Sequence, residues 1–567
     1  MTRTRPTAGP ASAAHLLLGI AAAPGRRLAV EWSATPFHAM GLSMGRPRGA
    51  AAKVRDFRPP DLTGGQRIMA GAWRFAGEQL DVGASADPWN RPSPSRCFAA
   101  WQHGFTWLGG LLACDRAGAA EALRLVLGWR RVFGRWNAFA WDGEVLRRRV
   151  VSLASALPDL AGIASDAEGA ALMGDLSRQA RQLMAVRGDP AHAAERAVAA
   201  AIGACALAGP GPAKLREQAL RRLERLLPKV VLADGGHASR SPEAALELLF
   251  DLLSLDEALT QLGRPPPTEL SRAIDRLTGA VRFFTLADGR LASAQGGADA
   301  ARVRILAAVA HDDDDRTVPG LMRESGYQRL EGGALQVFVD AGEPANGRWS
   351  VSACAQPAAI EVVAAGRRLI TGAGWSPDFG PGALARVSEA AAAVTLDEAS
   401  PGTPLEGFAA WSLGTQLTQA DWRVTPRRSE GEGVVLLEIS HDAWLERLGV
   451  RAERRLYVDG AAGELRGEDR FMPTKALKGD RRRFVPYAIG FPLHPEARAS
   501  IAMDGKGVLI RHSHEEGWWL RTDAAEINLA PAMRWTDGEP RTTEQIVLSG
   551  LFRLEAGGRV RWKLGRT

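Results

Sequence analysis

The sequence predicts an α+β multidomain protein, a helical N-terminal domain followed by a C-terminal antiparallel β-sandwich. Three observations carry that reading. From about residue 61 to about 310, apolar residues recur at spacings of three and four, the period of a helix buried on one face. After the run Asp312-Asp313-Asp314-Asp315 the apolar pattern switches to alternation, the period of a half-buried strand. Composition supports globular domains: of 567 residues, 46% are hydrophobic and 24% charged, which excludes global disorder, collagen-like repeats and a disulfide scaffold.

The first 60 residues read as a basic tail. They hold nine Lys or Arg against Glu31 and Asp56, which accounts for the whole net charge of +7. The remainder balances, so the charge describes a tail and not a nucleic-acid groove, and no nucleic-acid partner is expected. Pro- and Gly-rich composition makes the tail largely irregular in expectation, adding little to the core. Within it, Ala13 to Ala23 resembles a weak signal-peptide core behind Arg3 and Arg5. The segment is short, contains His15 and is followed at once by Arg26-Arg27, so it is not a convincing export signal. No later stretch reaches the ~20 apolar residues of a membrane span.

Residues 61–315 form the expected helical domain. Leu123, Val126, Leu127 and Trp129 share one face. Ser241-Pro242-Glu243 supplies a cap, a first-turn proline and an early acid. Leu246, Leu249, Leu252, Leu253, Leu259 and Leu262 then form a stripe that Gly263 and Pro265-Pro266-Pro267 end. Short Gly/Pro breaks between such segments imply antiparallel helix pairs. The acidic run Asp312–Asp315 reads as a solvated linker, because no EF-hand spacing follows. Residues 316–567 form the expected sandwich, with alternating segments at Leu335–Val339, Val434–Ile439, Arg454–Val458 and Val508–Arg511 and turns such as Asp459-Gly460.

Three segments could carry chemistry. In Asp234-Gly235-Gly236-His237-Ala238-Ser239-Arg240-Ser241-Pro242, glycines permit a tight turn, and a histidine and an arginine precede a helix N-terminus that attracts anions. The competing reading is a capped loop whose histidine satisfies a neighbouring carbonyl, and on composition alone that reading is the stronger. The second segment is rich in tryptophan: Trp101-Gln102-His103-Gly104-Phe105-Thr106-Trp107, Trp129, and Arg135-Trp136-Asn137-Ala138-Phe139-Ala140-Trp141. Indole faces suit sugar rings, and Arg135 and His103 could meet acidic substituents; Trp101 and Trp129 read as core, Trp136 and Trp141 as a cleft lining. Aromatic residues at helical spacing are otherwise core. The third is Ser440-His441-Asp442, a strand-end histidine of structural type, while His512-Ser513-His514 reads as an exposed hairpin tip. Four dispersed cysteines give no zinc or redox signature, and no P-loop, HExxH or GxSxG motif appears in a plausible setting, so neither a metal nor a cofactor is expected.

In order along the chain, these segments resemble the bacterial heparinase II/III family of polysaccharide lyases over roughly residues 75–560. The resemblance rests on Asp87-Pro88-Trp89, Trp101-x-His103-Gly104-Phe105, Trp136-x-x-Phe139-x-Trp141, Asp234-Gly235-Gly236-His237, Ser325-Gly326-Tyr327-Gln328-Arg329-Leu330, Ser440-His441-Asp442, Arg454-Arg455-Leu456-Tyr457, Leu465-Arg466-Gly467-Glu468-Asp469 and Thr543-Glu544-Gln545-Ile546-Val547. It implies an incomplete α/α toroid ahead of the sandwich, and β-elimination at a uronic acid. That chemistry neutralises the substrate carboxylate, removes the C5 proton and protonates the leaving oxygen. The resemblance places His237 at the substrate carboxylate with Arg240 assisting, and His103, Arg135, Trp136 and Trp141 along an acidic glycan. It favours the cell envelope or periplasm, with the cytoplasm as the alternative.

The chain departs from the family at the residues that matter most. Characterised lyases carry a catalytic tyrosine in the toroid, whereas the three tyrosines here are Tyr327, Tyr457 and Tyr487. Where relatives carry a His-x-His pair, this chain reads Val351-Ser352-Ala353-Cys354-Ala355-Gln356-Pro357. His441 matches a zinc ligand of some members but lacks its usual partners. Two functions therefore stand side by side: a lyase acting on uronic-acid glycans, and a glycan-binding or envelope-assembly protein that kept the fold and lost turnover.

Overall fold

The computed structural model describes residue 25 and residues 27–566, apart from 187–189, 313–317, 419–420 and 513–516. The signal-like segment, His514 and most of the acidic linker lie outside the described residues.

The helical half is built around Ala193–Cys205, a helix whose thirteen residues are all buried. Seven of them from Ala193 to Ala204 are alanine, so neighbouring helices approach closely on every side. Gly203 shows how closely: a Cβ there would stand 2.8 Å from Val150 Cγ1. Gly143–Ile163, Asp166–Ala185, Pro210–Val230 and Pro242–Gln261 pack around it, with Arg96–Gly104, Asp115–Phe133 and Thr268–Phe284 completing the curved array. Asp115–Phe133 and Pro210–Val230 bury one apolar stripe each, Gly143–Ile163 and Pro242–Gln261 bury continuous runs, and caps such as the Ser165–Glu168 box close helix ends.

The β half contains three antiparallel sheets. A five-stranded sheet (Leu321–Met322, Tyr327–Gly332, Leu335–Asp340, Ile360–Ala364, Arg367–Ile370) abuts the helices. Beyond it lie an eight-stranded sheet, ordered Val424–Gly431, Val434–His441, Val450–Asp459, Glu464–Pro473, Gly558–Arg566, Trp518–Thr522, Gly507–His512 and Ala497–Ala502, and a four-stranded one. Strict in–out alternation along Val450–Asp459 shows why one face enters the sandwich core. Inside that core Arg454 pairs with Asp469 at 2.7 Å and also donates to the carbonyls of Ala358 and Ala392. No helix among the described residues is long and apolar enough to cross a membrane.

The tail departs from expectation. Pro36–Ser43 is helical, and Gly49–Ala50 pairs with Leu207–Ala208. The amides of Ala51 and Ala52 donate to the carbonyls of Ala206 and Cys205 at 2.9 and 3.1 Å. These are carbonyls at the end of the central helix that lack intrahelical partners, so an apparently irregular segment is held by hydrogen bonds to residues far along the chain. Arg58 goes further, bonding Asp56, Glu247 and Asp251 inside the helical domain. Earlier in the tail, Leu28, Trp32, Phe37, Met40 and Met44 are exposed.

Candidate functional site at the toroid–sandwich junction

The loop after Pro210–Val230 turns back on itself through a bridge between Val231 and His237. Gly235 is required at its tip, with φ +88° and a hypothetical Cβ only 2.0 Å from the Arg276 carbonyl oxygen. Asp234 then reaches across to the β half, accepting from the Ser325 amide at 2.7 Å and hydroxyl at 3.0 Å. The sequence motif thus forms a hinge-point between the two halves.

His237 sits behind this turn, 3% exposed. The Ser239 amide and hydroxyl both approach its Nδ1, at 3.1 and 2.7 Å. An amide only donates, so Nδ1 is an acceptor and the ring hydrogen resides on Nε2. That Nε2 faces Glu195 Oε1 at 3.3 Å. The edge of Trp349, from the β half, covers the ring at 5.7 Å between centroids. The resemblance places this imidazole at a substrate carboxylate; here both nitrogens are engaged with protein groups and Trp349 covers the ring.

Arg240 is engaged with protein groups in the same way. Its backbone is left-handed at φ +64°, which swings the side chain toward the sandwich. There Nη2 pairs with Asp340, Nε donates to the Ser325 carbonyl at 2.8 Å, and the guanidinium stacks 4.8 Å above the Tyr327 ring. Tyr327 Oη returns a 2.6 Å bond to the Arg240 carbonyl. Gly326 and Gly342 leave the slot for the guanidinium, since a Cβ at Gly342 would lie 2.6 Å from Nη2. Arg240 fastens one half of the protein to the other.

The tryptophan-rich segment does not face this loop. His103 is buried; its Nδ1 accepts from Trp129 Nε1 at 2.8 Å, and Phe133 packs 4.6 Å from its ring. Burial, aided by the Arg149 charge, lowers its pKa to about 4. Trp141 is buried with Nε1 bonded to the Phe133 carbonyl at 2.9 Å, and Trp136 packs against the same core, while Arg135 is exposed. Glycines beside Trp141 mark a tight turn, and that turn folds the indole inward. An open cavity of about 830 Å³ does lie at the junction, lined by Arg240, Met322, Ser325, Gln328, Arg428 and Glu430. His237, His103, Arg135, Trp136 and Trp141 are not among its walls.

A charged wall that sequence reasoning missed adjoins His237. The N-terminal turns of Gly143–Ile163, Ala193–Cys205 and Pro242–Gln261 carry Glu144, Glu195 and Glu243 respectively. Helix N-termini attract negative charge, and here each helix supplies its own. Glu144 is bonded by Arg147 at 2.8 Å and Arg196 at 3.2 Å, and Glu247, one turn beyond Glu243, pairs with Arg58 and Arg304. Burial alone would raise the Glu144 and Glu195 pKa values, but neighbouring His192, Arg147 and, for Glu195, the His237 bond hold both carboxyls below their ordinary range. The legible signal was the spacing Glu243, Glu247, Asp251 on an otherwise leucine-rich helix.

Glu243 differs from its neighbours. Burial, reinforced by the nearby Asp378 and Glu247 charges, raises its pKa to about 7 against bonds from the Ala298 amide and Ser376. The folded state therefore binds this proton more tightly than the unfolded chain. Its contribution is fully present below the ordinary carboxyl pKa and is lost as pH rises through about 7. Glu243→Gln keeps acceptor and donor for Ala298 and Ser376 and removes the charge. The variant should match the parent below about pH 4 and exceed it by about 1–3 kcal/mol above pH 7. Urea unfolding at several pH values measures this; a gain independent of pH would refute it.

Comparison with known proteins adds three findings. Residues 315–563 match a family model described as Heparinase II/III-like, C-terminal. FtsZ-localized protein C of Caulobacter vibrioides (strain NA1000 / CB15N) is 48% identical over 538 residues, covering 94% of this chain and 93% of that protein. The crystal structure of heparinase III superposes with a TM-score of 0.69 over 98% of this chain and 91% of that one, at 12% identity. A heparan sulfate lyase HepC mutant from Pedobacter heparinus gives 0.56, covering 97% of this chain and 90% of that one, at 13% identity. The solved structures share the fold: a helical toroid, then a β-sandwich.

Proposed function

The chain belongs to the heparinase II/III-like family, and from that premise we propose that it is a non-lyase member that works with FtsZ, using the lyase fold as a scaffold. One observation carries the reading: 48% identity spread over nearly the full length of FtsZ-localized protein C. The junction supports it chemically. Elimination needs an accessible base, an acid and a carboxylate-binding group. No tyrosine precedes Tyr327, and Tyr327 is itself buried and bonded to backbone. His237 presents no free nitrogen, and Arg240 is committed to Asp340. The helix ends that could attract a uronate already hold Glu144, Glu195 and Glu243. The chain's location in the cell then follows FtsZ.

Two assays on the purified full chain test this. The protein should sediment with FtsZ polymers, and a panel of acidic glycans should develop no absorbance from unsaturated uronide. Turnover of a glycan without association with FtsZ would overturn the proposal in favour of a lyase.

A further inference from the structure

Far from the junction, at the edge of the eight-stranded sheet, the chain folds two imidazoles and a carboxylate onto one point. The strand Phe484–Pro492 leaves its sheet, and the His494 amide is caught by the Leu369 carbonyl at 3.0 Å. Pro495 then sits at the second position of a tight turn, closed by a 2.8 Å bond from the Ala497 amide to the His494 carbonyl. The following strand Ala497–Ala502 pairs with Gly507–His512 so that Ala497 lies opposite His512. This register places the turn's His494 and Glu496 over the end of the partner strand, beside His512.

His512 Nε2 stands 3.2 Å and His494 Nδ1 4.0 Å from Glu496 Oε2, and one donor atom from each residue lies within 4.8 Å of the others. The rings are nearly parallel at 6.2 Å. Four-coordinate zinc, with ligands at about 2.0–2.2 Å, spaces its donors about 3.3 Å apart, so small side-chain rotations close the set. Burial is graded: the side chains of His512 and His494 are 7% and 12% exposed, and Glu496 is 67% exposed. An ion would thus have two largely buried imidazoles behind it, His494 Nδ1 also accepting from the Glu496 amide at 3.4 Å, and one exposed carboxylate at the mouth. The two guanidinium groups felt most by His494, those of Arg534 and Arg368, are paired with Asp299 and with Asp288 and Glu361.

We propose that His494, Glu496 and His512 bind one divalent transition-metal ion of the zinc class, with a fourth position open to water or an exogenous ligand. Two imidazoles and one carboxylate form a donor set suited to zinc and poorly suited to calcium or magnesium. The site is distinct from His441, which lies on the second strand of the same sheet while His512 lies on the seventh. An ion here would pin the turn to the sheet edge.

Metal-stripped full chain titrated with Zn²⁺ in a calorimeter, and with Co²⁺ as a visible-absorption probe, tests this directly. One ion per chain is expected, with a Co²⁺ spectrum of four-coordinate type. Glu496→Gln alters an exposed side chain and should leave the circular dichroism unchanged while weakening affinity roughly tenfold or more. His512→Ala should abolish the Co²⁺ band. Absence of stoichiometric binding, or wild-type affinity in both variants, would overturn the proposal.

Discussion

Arg240→Ala should lower the stability of the protein by about 3–5 kcal/mol, more than most single substitutions. The arginine brings a buried positive charge to Asp340, a bond to the Ser325 carbonyl and a stacking face to Tyr327. Truncation removes all three and leaves Asp340 ionised among buried groups, with the Gln295 amide at 2.7 Å as its remaining side-chain donor. Lysine would not restore the site, because one ammonium cannot serve Asp340 and Ser325 in the fork geometry of a guanidinium. The pair should also be strongly coupled. Once Asp340 is replaced by Asn, removal of Arg240 no longer strands a charge, so its cost should fall well below the single-variant value. Chemical denaturation of the four members of the cycle measures this. Additive costs would mean that the two side chains act independently and that the junction is held elsewhere.

This result bears on how the sequence is to be read. The fold was legible because periodicity is a local property: three-and-four spacing through Leu246–Leu262 and alternation through Arg454–Val458 report the buried face without knowledge of the partner. The toroidal closure was not local and came only from the resemblance. Motif recognition located the junction, since Asp234–Arg240 and Ser325–Tyr327 meet there, but not the hydrogen bonds that join the two segments. A short motif shared with a lyase marks a place where two halves must join as readily as a place where chemistry occurs. Tryptophan 141 misled for a related reason: neighbouring glycines signal a turn but not its direction. The hydrogen bonds that hold Ala51 and Ala52 were not legible because their partners, Ala206 and Cys205, lie some 150 residues away.

His237→Ala extends the argument to the residue on which the functional question turns. The partner that decides its role, Glu195, stands 42 positions earlier on the central helix and could not be seen from the loop. Among the described residues, His237 is the hydrogen-bond partner of Glu195 Oε1, and the other oxygen has none. Removing the imidazole therefore leaves a buried carboxylate with neither oxygen satisfied, and opens a void against Trp349. A loss of about 2–4 kcal/mol is expected, larger than for a loop histidine facing solvent. The Glu195 pKa should rise as its hydrogen bond disappears, so the variant should recover part of its stability on mild acidification. In a Glu195→Gln background the same histidine substitution should cost less, because no charge is stranded. If the proposed function holds, sedimentation with FtsZ polymers should fall only in proportion to the unfolded fraction. Unchanged stability in His237→Ala together with a lost activity on an acidic glycan would contradict each step, and would return His237 to the active-site role that its motif first implied.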